Sequence, residues 1–272
     1  MKLSGTVIWY NPNNDSVINL RTYLPYIKKL YIVDNSDQDN SGLLTEDIRT
    51  KVEYIPNFQN LGIARALNIG CERAVNNKFE WILTMDQDSK FDNNFESFLK
   101  QIEIKQDEKI ALFAPVYEVN GNIIKNKLRV FSSGNIINLK IHNKIGGFLD
   151  ELFIDEVDHE MCYRIIENGY KILQLDDIIL KHELGETEYK YLLKNFFQIT
   201  NHNYIRRYYI TRNKLYVKKL HPLYTKDYYS IIVKDFIKIL FFEKNKTKKI
   251  KFIIKGIIDY KRKKMGKYEG GV

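Results

Sequence analysis

The 272-residue sequence predicts an α/β fold, with a mainly parallel central sheet, flanking helices and a helical, basic C-terminal extension. Three observations lead there. Apolar runs of strand length alternate with helical periods through the first half, these runs end in polar residues, and composition and charge change near residue 189. With 44% hydrophobic, 13% aromatic and 28% charged residues, the chain can bury a core, which excludes general disorder. The length suits one large domain or a domain plus an appendage, because single cores stop growing near ~250–300 residues.

The first strand spans residues 3–10 and closes at Asn11-Pro12, after which Val17, Leu20 and Leu24 give a short helical stripe. Residues 30–33 form a second strand ending in Asp34-Asn35-Ser36, and residues 52–55 a third. Ile63, Ala66, Leu67, Gly70, Ala74 and Val75 recur at helical spacing before the strand at 81–85. This β-α-β order predicts a ligand at the carboxyl edge of the sheet. Residues 110–139 read as further strands around a polar excursion at Asn120-Gly121-Asn122. A helix over about residues 157–168, stopped by Gly169, leads into strand-like runs at 170–173 and 178–180. From 189 onward helix is the only period visible, so 1–188 is read as one domain and 189–272 as a second region.

Cys71 and Cys162 form no CxxC pair, so neither a disulfide framework nor a cysteine-ligated zinc site is expected, and a reducing cytosol is the natural setting. The opening residues break at Asn11-Pro12 before a signal-peptide core, and no apolar run reaches the ~18 residues of a membrane span. The net charge of +9 is unevenly spread. Residues 1–200 hold 23 Lys and Arg against 29 Asp and Glu, and residues 201–272 hold 20 against 5, so an acidic body carries a tail of +15. Such tails meet phosphate, of nucleic acid or of a lipid surface.

The sharpest local feature is Asp86-Gln87-Asp88 directly after the fourth strand. Two carboxylates on alternate residues at a strand exit can share a hard divalent cation with a diphosphate, although an acidic turn would look the same. Polar groups at the other strand ends, Tyr10-Asn11-Pro12, Asp34-Asn35-Ser36 and Asn60-Leu61-Gly62, would line the same crevice. Neither GxGxxG nor GxxxxGK[ST] occurs, which excludes a dinucleotide fingerprint and a P-loop. A second constellation follows: Gly146-Gly147-Phe148, then FIDEVDHE at 153–160, then Arg164.

These residues resemble family 2 glycosyltransferases of the GT-A (Rossmann-like) fold over roughly residues 3–186. The resemblance implies a nucleotide-diphosphate sugar donor, a saccharide acceptor and Mg²⁺ or Mn²⁺. It makes Tyr10, Asn11, Pro12, Asp34, Asn60, Gly62, Arg65, Asp86, Gln87 and Asp88 donor-site candidates, with Asp88 the better metal contact. It puts Asp158 on the family's general base and Val157 where glutamate is usual. Asp155 is a rival base whose upstream position better suits an acceptor contact, beside Gly147. The competing reading of Asp158 is a residue that merely favours the helix N-terminus. Glu160 and Arg164, four apart, read as a helix-surface pair. His182 matches a family histidine that approaches metal or diphosphate, whereas His142, His159, His202 and His221 are left as surface or packing residues. DQDS at 86–89 and the FIDxVDxE form look like the L-rhamnosyltransferase branch, which implies dTDP-L-rhamnose. A UDP-sugar transferase of the same fold is the alternative.

Arg206-Arg207-Tyr208-Tyr209 and Arg212-Asn213 resemble the RYY…RN stretch of that branch, and tyrosines packing on the domain explain it equally. Ile250, Ile253, Ile254, Ile257 and Ile258 make one helical face flanked by lysines, which predicts an interfacial helix for an anionic membrane, with a homodimer contact as competitor. The expected location is cytoplasmic, on the inner face of the cell membrane, with a lipid-linked glycan as a suitable acceptor. A nucleic-acid binder is the reading from another class; the acidic body argues against it.

Overall fold

In the computed structural model, described for residues 1–105, 107–182, 188–192 and 195–270, the chain forms two compact units. One comprises Met1–Phe153 and Val157–Glu183, the other Ile154–Glu156 and Leu184–Val272.

The first unit opens with β1 (Leu3–Trp9), α1 (Asn14–Leu20), β2 (Leu30–Asp34), α2 (Glu46–Arg49), β3 (Val52–Pro56), α3 (Ile63–Asn76) and β4 (Trp81–Asp86). It continues with β5 (Ser89–Phe91), α4 (Phe95–Lys105), β6 (Ile110–Val119), β7 (Asn122–Ile124), β8 (Asn135–Asn138), α5 (Leu139–Lys144), α6 (Val157–Glu167) and β9 (Lys171–His182). The sheet runs β3-β2-β1-β4-β8-β6-β9-β5, with β7 paired to β6. As expected, β1 to β4 are parallel, and β1 is buried along its whole length, as a strand covered on both faces must be. Gly70 lets α3 approach β1, because a Cβ there would stand 2.2 Å from Thr6 Oγ1.

Beyond β4 the sheet becomes mixed. β8 runs antiparallel to both β4 and β6, β5 is antiparallel to β9, and only β6 and β9 continue parallel. The βα alternation that forces parallel pairing stops at β4, and the polar excursion is a tight hairpin between β6 and β7. Asn120 (φ 50°) and Gly121 (φ 75°) take the left-handed conformations such turns need. The two strand-like runs after α6 are one strand, β9, whose register jumps from Leu175 to Ile179 opposite Pro115 and Val116. Helix α4 buries Phe95, Phe98 and Ile102, and its two phenylalanines pack with Phe91.

The second unit holds β10 (Glu188–Leu192), β11 (Asn195–Ile199), α7 (Tyr204–Leu220), α8 (Tyr228–Phe241) and α9 (Lys246–Lys261). The antiparallel β10–β11 pair corrects the all-helical expectation, since five-residue runs are too short for periodicity to separate strand from helix. Helices α7 and α9 touch closely at Gly256, where a Cβ would lie 2.7 Å from the Tyr208 carbonyl oxygen. The isoleucine stripe of α9 does not form one exposed face: Ile253 is buried, while Ile254 and Ile258 are exposed. Several basic residues are interior. Glu243 pairs with both Arg207 and Lys249, the latter at 2.8 Å, and all three are buried. The Arg212 guanidinium lies 5.2 and 5.0 Å from the ring centroids of Tyr208 and Tyr209 and donates to the Gly266 carbonyl at 2.7 Å.

Candidate active site

The Asp86-Gln87-Asp88 segment leaves β4 held from three sides. The Asp86 N–H donates to Ser133 Oγ at 3.0 Å, and Asn19 of α1 donates to the Gln87 carbonyl at 3.0 Å. Gln87 reaches back to β1, accepting the Tyr10 N–H at 2.8 Å and donating to the Tyr10 carbonyl at 3.2 Å. Its side chain therefore ties two strand ends together. Asp86 is half-buried and Asp88 exposed, with the Ser89 hydroxyl 3.4 Å from Asp88 Oδ1. The backbone of His182 stands opposite Ser89 in the β5–β9 ladder, next to Asp88 in sequence; its side chain lies outside the described residues.

The neighbouring strand ends are knitted by polar groups. Buried Asp34 accepts the Ser36 N–H on Oδ1 (2.8 Å) and both the Tyr54 hydroxyl (2.7 Å) and Asn40 Nδ2 (2.9 Å) on Oδ2. Burial, followed by the bond to Asp34, pushes the Tyr54 phenol upward. Asn11, in a left-handed conformation (φ 49°), donates its N–H to Ser36 Oγ at 2.7 Å, with Pro12 following half-buried. Asn60 Oδ1 accepts the Gly62 N–H at 2.9 Å, and Asn35 Nδ2 donates to the Gly62 carbonyl at 3.1 Å. Gly62 needs to be glycine, because φ is 86° and a Cβ would meet Phe153 at 2.6 Å. Arg65 points elsewhere: it bonds Glu72 at 2.7 Å and lines a cleft of about 510 Å³ with Asn68, His142, Gly147 and Asp150, but not with Asp86, Asp88 or Asp158.

Asp158 lies in the first turn of α6, half-buried, its Oδ1 accepting the His159 N–H at 2.8 Å. Tyr117 on β6 is buried. The Tyr117 hydroxyl bonds the Phe131 carbonyl and Asn135 Oδ1, both at 3.1 Å. Burial drives this phenol far upward, and the charges of Cys162, Asp158 and Asp86 add to the shift. The loop at 131–134 that carries Ser133 completes this region; short polar loops leave no periodicity to read.

The pair Glu160–Arg164 forms, but in the interior rather than on the helix surface. Arg164 bonds both Glu160 oxygens at 2.8 Å and donates to the Ile145 and Gly147 carbonyls at 2.5 Å, fixing the glycine turn. His142 packs against Phe148 with ring centroids 5.3 Å apart.

In the second unit, Asp155 (φ 63°) and Glu156 (φ 68°) adopt left-handed backbone conformations that ordinary residues avoid. Asn213 donates to the carbonyls of Ile154 (2.7 Å) and Asp155 (3.0 Å), and Lys214 and Tyr228 both bond the Glu156 carboxylate. Asp155 pairs with Arg206 at 3.2 Å; its Oδ2 is buried without a hydrogen-bond partner among the described residues, and burial raises its pKa. The RYY…RN stretch thus clamps a strained segment, which explains Asn213 as more than a packing residue.

The profile of Glycosyl transferase family 2 matches residues 14–163. The chain belongs to that family and is a glycosyltransferase of GT-A type. Over 244 residues it is 29% identical to the dTDP-rhamnosyl transferase RfbF of Shigella flexneri, covering 80% of each chain. In fold it is similar to S. aureus TarS 1-349 in complex with UDP-GlcNAc, with a TM-score of 0.60 and 15% identity, covering 96% of this chain and 80% of that one. It is also similar to GalNAc-T7 with UDP, GalNAc and Mn2+, with a TM-score of 0.54 and 17% identity, covering 67% of this chain and 44% of that one.

Proposed function

We propose that this glycosyltransferase moves L-rhamnose from dTDP-L-rhamnose to a saccharide hydroxyl, with inversion and with a divalent cation, in the synthesis of a surface polysaccharide. The similarity to a dTDP-rhamnosyl transferase supports the donor. The position of Asp86-Gln87-Asp88 at the carboxyl end of β4, held by Ser133, Asn19 and the Tyr10 backbone, carries the chemistry.

In this reading Asp158 accepts the proton of the acceptor hydroxyl as its oxygen attacks C1 of the sugar, opposite the departing nucleoside diphosphate. One positioned base is worth ~10²–10⁴-fold. Asp86 and Asp88 offer the hard oxygen ligands that Mg²⁺ or Mn²⁺ prefers. Among the described residues no group of three or more His, Cys, Asp and Glu could hold a metal ion, and a cation at Asp86 and Asp88 would be shared with the donor diphosphate. A cation held there would supply positive charge to the leaving diphosphate. Gln87, Asn19 and Ser133 hold the acidic segment still, and the ends of β1 and β2 with Asn60 and Gly62 receive the nucleoside.

Thermal-shift titration with dTDP-L-rhamnose and with UDP-sugars, each with and without Mn²⁺, tests the donor; a larger response to UDP-sugars overturns the rhamnose assignment. Asp158→Asn should keep donor binding and lose turnover by at least about a hundredfold. Turnover equal to that of the native chain would remove Asp158 from its role.

A further inference from the structure

Helix α8 is apolar on almost every side, yet it buries only Tyr228 and Ile239. Tyr229, Val233, Phe236 and Leu240 recur at spacings of four, three and four residues, which places them along one helical face. All four are exposed, from 39% to 60%, and Phe241 at the helix end is 53% exposed. Contiguous apolar exposure of this kind marks a contact surface.

Charge decides what covers it. Residues 201–272 carry a net +15, and Lys226, Lys244, Lys246 and Lys248, which flank α8 in the chain, are all exposed. A second copy would bring the same positive surface against this one, whereas an anionic bilayer attracts it. The Lys218 ammonium lies 4.5 Å from the Tyr229 ring centroid, joining a cation to the rim of the apolar face, as at the headgroup level of a membrane. At 14 residues, α8 is about 21 Å long, short of the ~30 Å hydrocarbon core. Among the described residues no helix is long and apolar enough to cross a membrane.

We propose that α8 is an interfacial helix that docks the protein on an anionic lipid surface, with Tyr229, Val233, Phe236 and Leu240 entering the headgroup–acyl boundary and the flanking lysines facing lipid phosphates. The sequence pattern pointed instead to α9, whose Ile253 is buried. The inference stands independently of the sugar donor.

Co-sedimentation of the full chain with phosphatidylglycerol-containing vesicles and with pure phosphatidylcholine vesicles tests it. Binding to the anionic vesicles should exceed binding to the neutral ones at least tenfold and weaken in high salt. The double substitution V233E/F236E should reduce binding at least tenfold while leaving the far-UV circular dichroism and thermal midpoint near those of the native chain. K244E/K246E, which leaves the apolar face intact, should weaken binding to anionic vesicles only. Undiminished binding by V233E/F236E overturns the assignment of α8, and equal binding to both vesicle types overturns the electrostatic part. If the native chain ignores vesicles but forms a dimer in light scattering that V233E/F236E abolishes, a second copy covers the face and the proposal fails.

Discussion

The two units handle charge in opposite ways. In the sheet unit most ion pairs stand at the surface: Arg21–Asp47 has side chains 52% and 57% exposed, and Lys100–Glu96 is more open still. In the helical unit a charge cluster lies in the interior, with Arg207 and Glu243 at 3% and 0% exposure and Lys249 and Glu243 at 4% and 0%. The sheet unit buries its apolar strands between helices and leaves charge to water. Among the described residues the helical unit buries few apolar side chains, and paired charges and Arg212 between tyrosines help hold its helices together. A buried pair adds little net stability over a well-packed apolar pair, but removing one partner leaves a charge with no water.

The largest effect should therefore come from the helical unit. Glu243→Ala strands Arg207 and Lys249 together and is expected to destabilise by about 3–5 kcal/mol in denaturant unfolding. Because Glu243 belongs to the helical unit, donor titration serves as a folding control for the sheet unit. A loss below about 1 kcal/mol would mean that water reaches these groups and that the contrast between the units is false.

That contrast also explains what could be read from the sequence. The β1–β4 half was legible because each strand is a short apolar run followed by a helical period, and its polar ends announced themselves as Asp34-Asn35, Asn60-Leu61-Gly62 and Asp86-Gln87-Asp88. Gln87 looked like a donor ligand by position; only the register of β1 beside β4 reveals that it grips the Tyr10 backbone. Ser133 was invisible because nothing in a short loop distinguishes a residue whose hydroxyl will accept the Asp86 N–H. The basic tail misled most. Lysines and arginines between tyrosines resemble a solvated face, and the acid that neutralises Arg207, Glu243, lies 36 residues away.

Histidines sharpen the comparison with a smaller effect. Burial pushes His142 down to about 4, aided by the Arg164 charge, whereas His202 falls to about 3 through burial and then the charges of Arg206, Arg207, Lys249 and Lys238. In both cases the folded state binds fewer protons than the unfolded chain, whose imidazole titrates near 6.5. Their stabilising contribution is complete above pH 6.5 and lost as pH falls, over the window down to about 4 for His142 and about 3 for His202. The His142 contribution amounts to roughly 3 kcal/mol across its full window. His142→Leu should flatten that acid limb in urea unfolding at any ionic strength. For His202 the suppression comes partly from neighbouring cations, so added salt should shrink its part of the limb. If salt altered the two equally, the distinction between a dry pocket and a cationic one would fall.

The smallest effect belongs to the exposed pairs. Arg21 donates to Asp47 at 2.7 Å, a shorter contact than that between Lys249 and Glu243, so a stability ranking based on distance alone would place it ahead of that buried pair. Exposure reverses the order, because both groups keep their water in the unfolded chain and much of it in the folded one. Arg21→Met is expected to shift the unfolding free energy by no more than about 0.5 kcal/mol, and the shift should vanish in high salt. A loss approaching that of Glu243→Ala would show that α1 and α2 depend on this pair for their placement, and the surface of the sheet unit would then be governed by charge as its helical counterpart is.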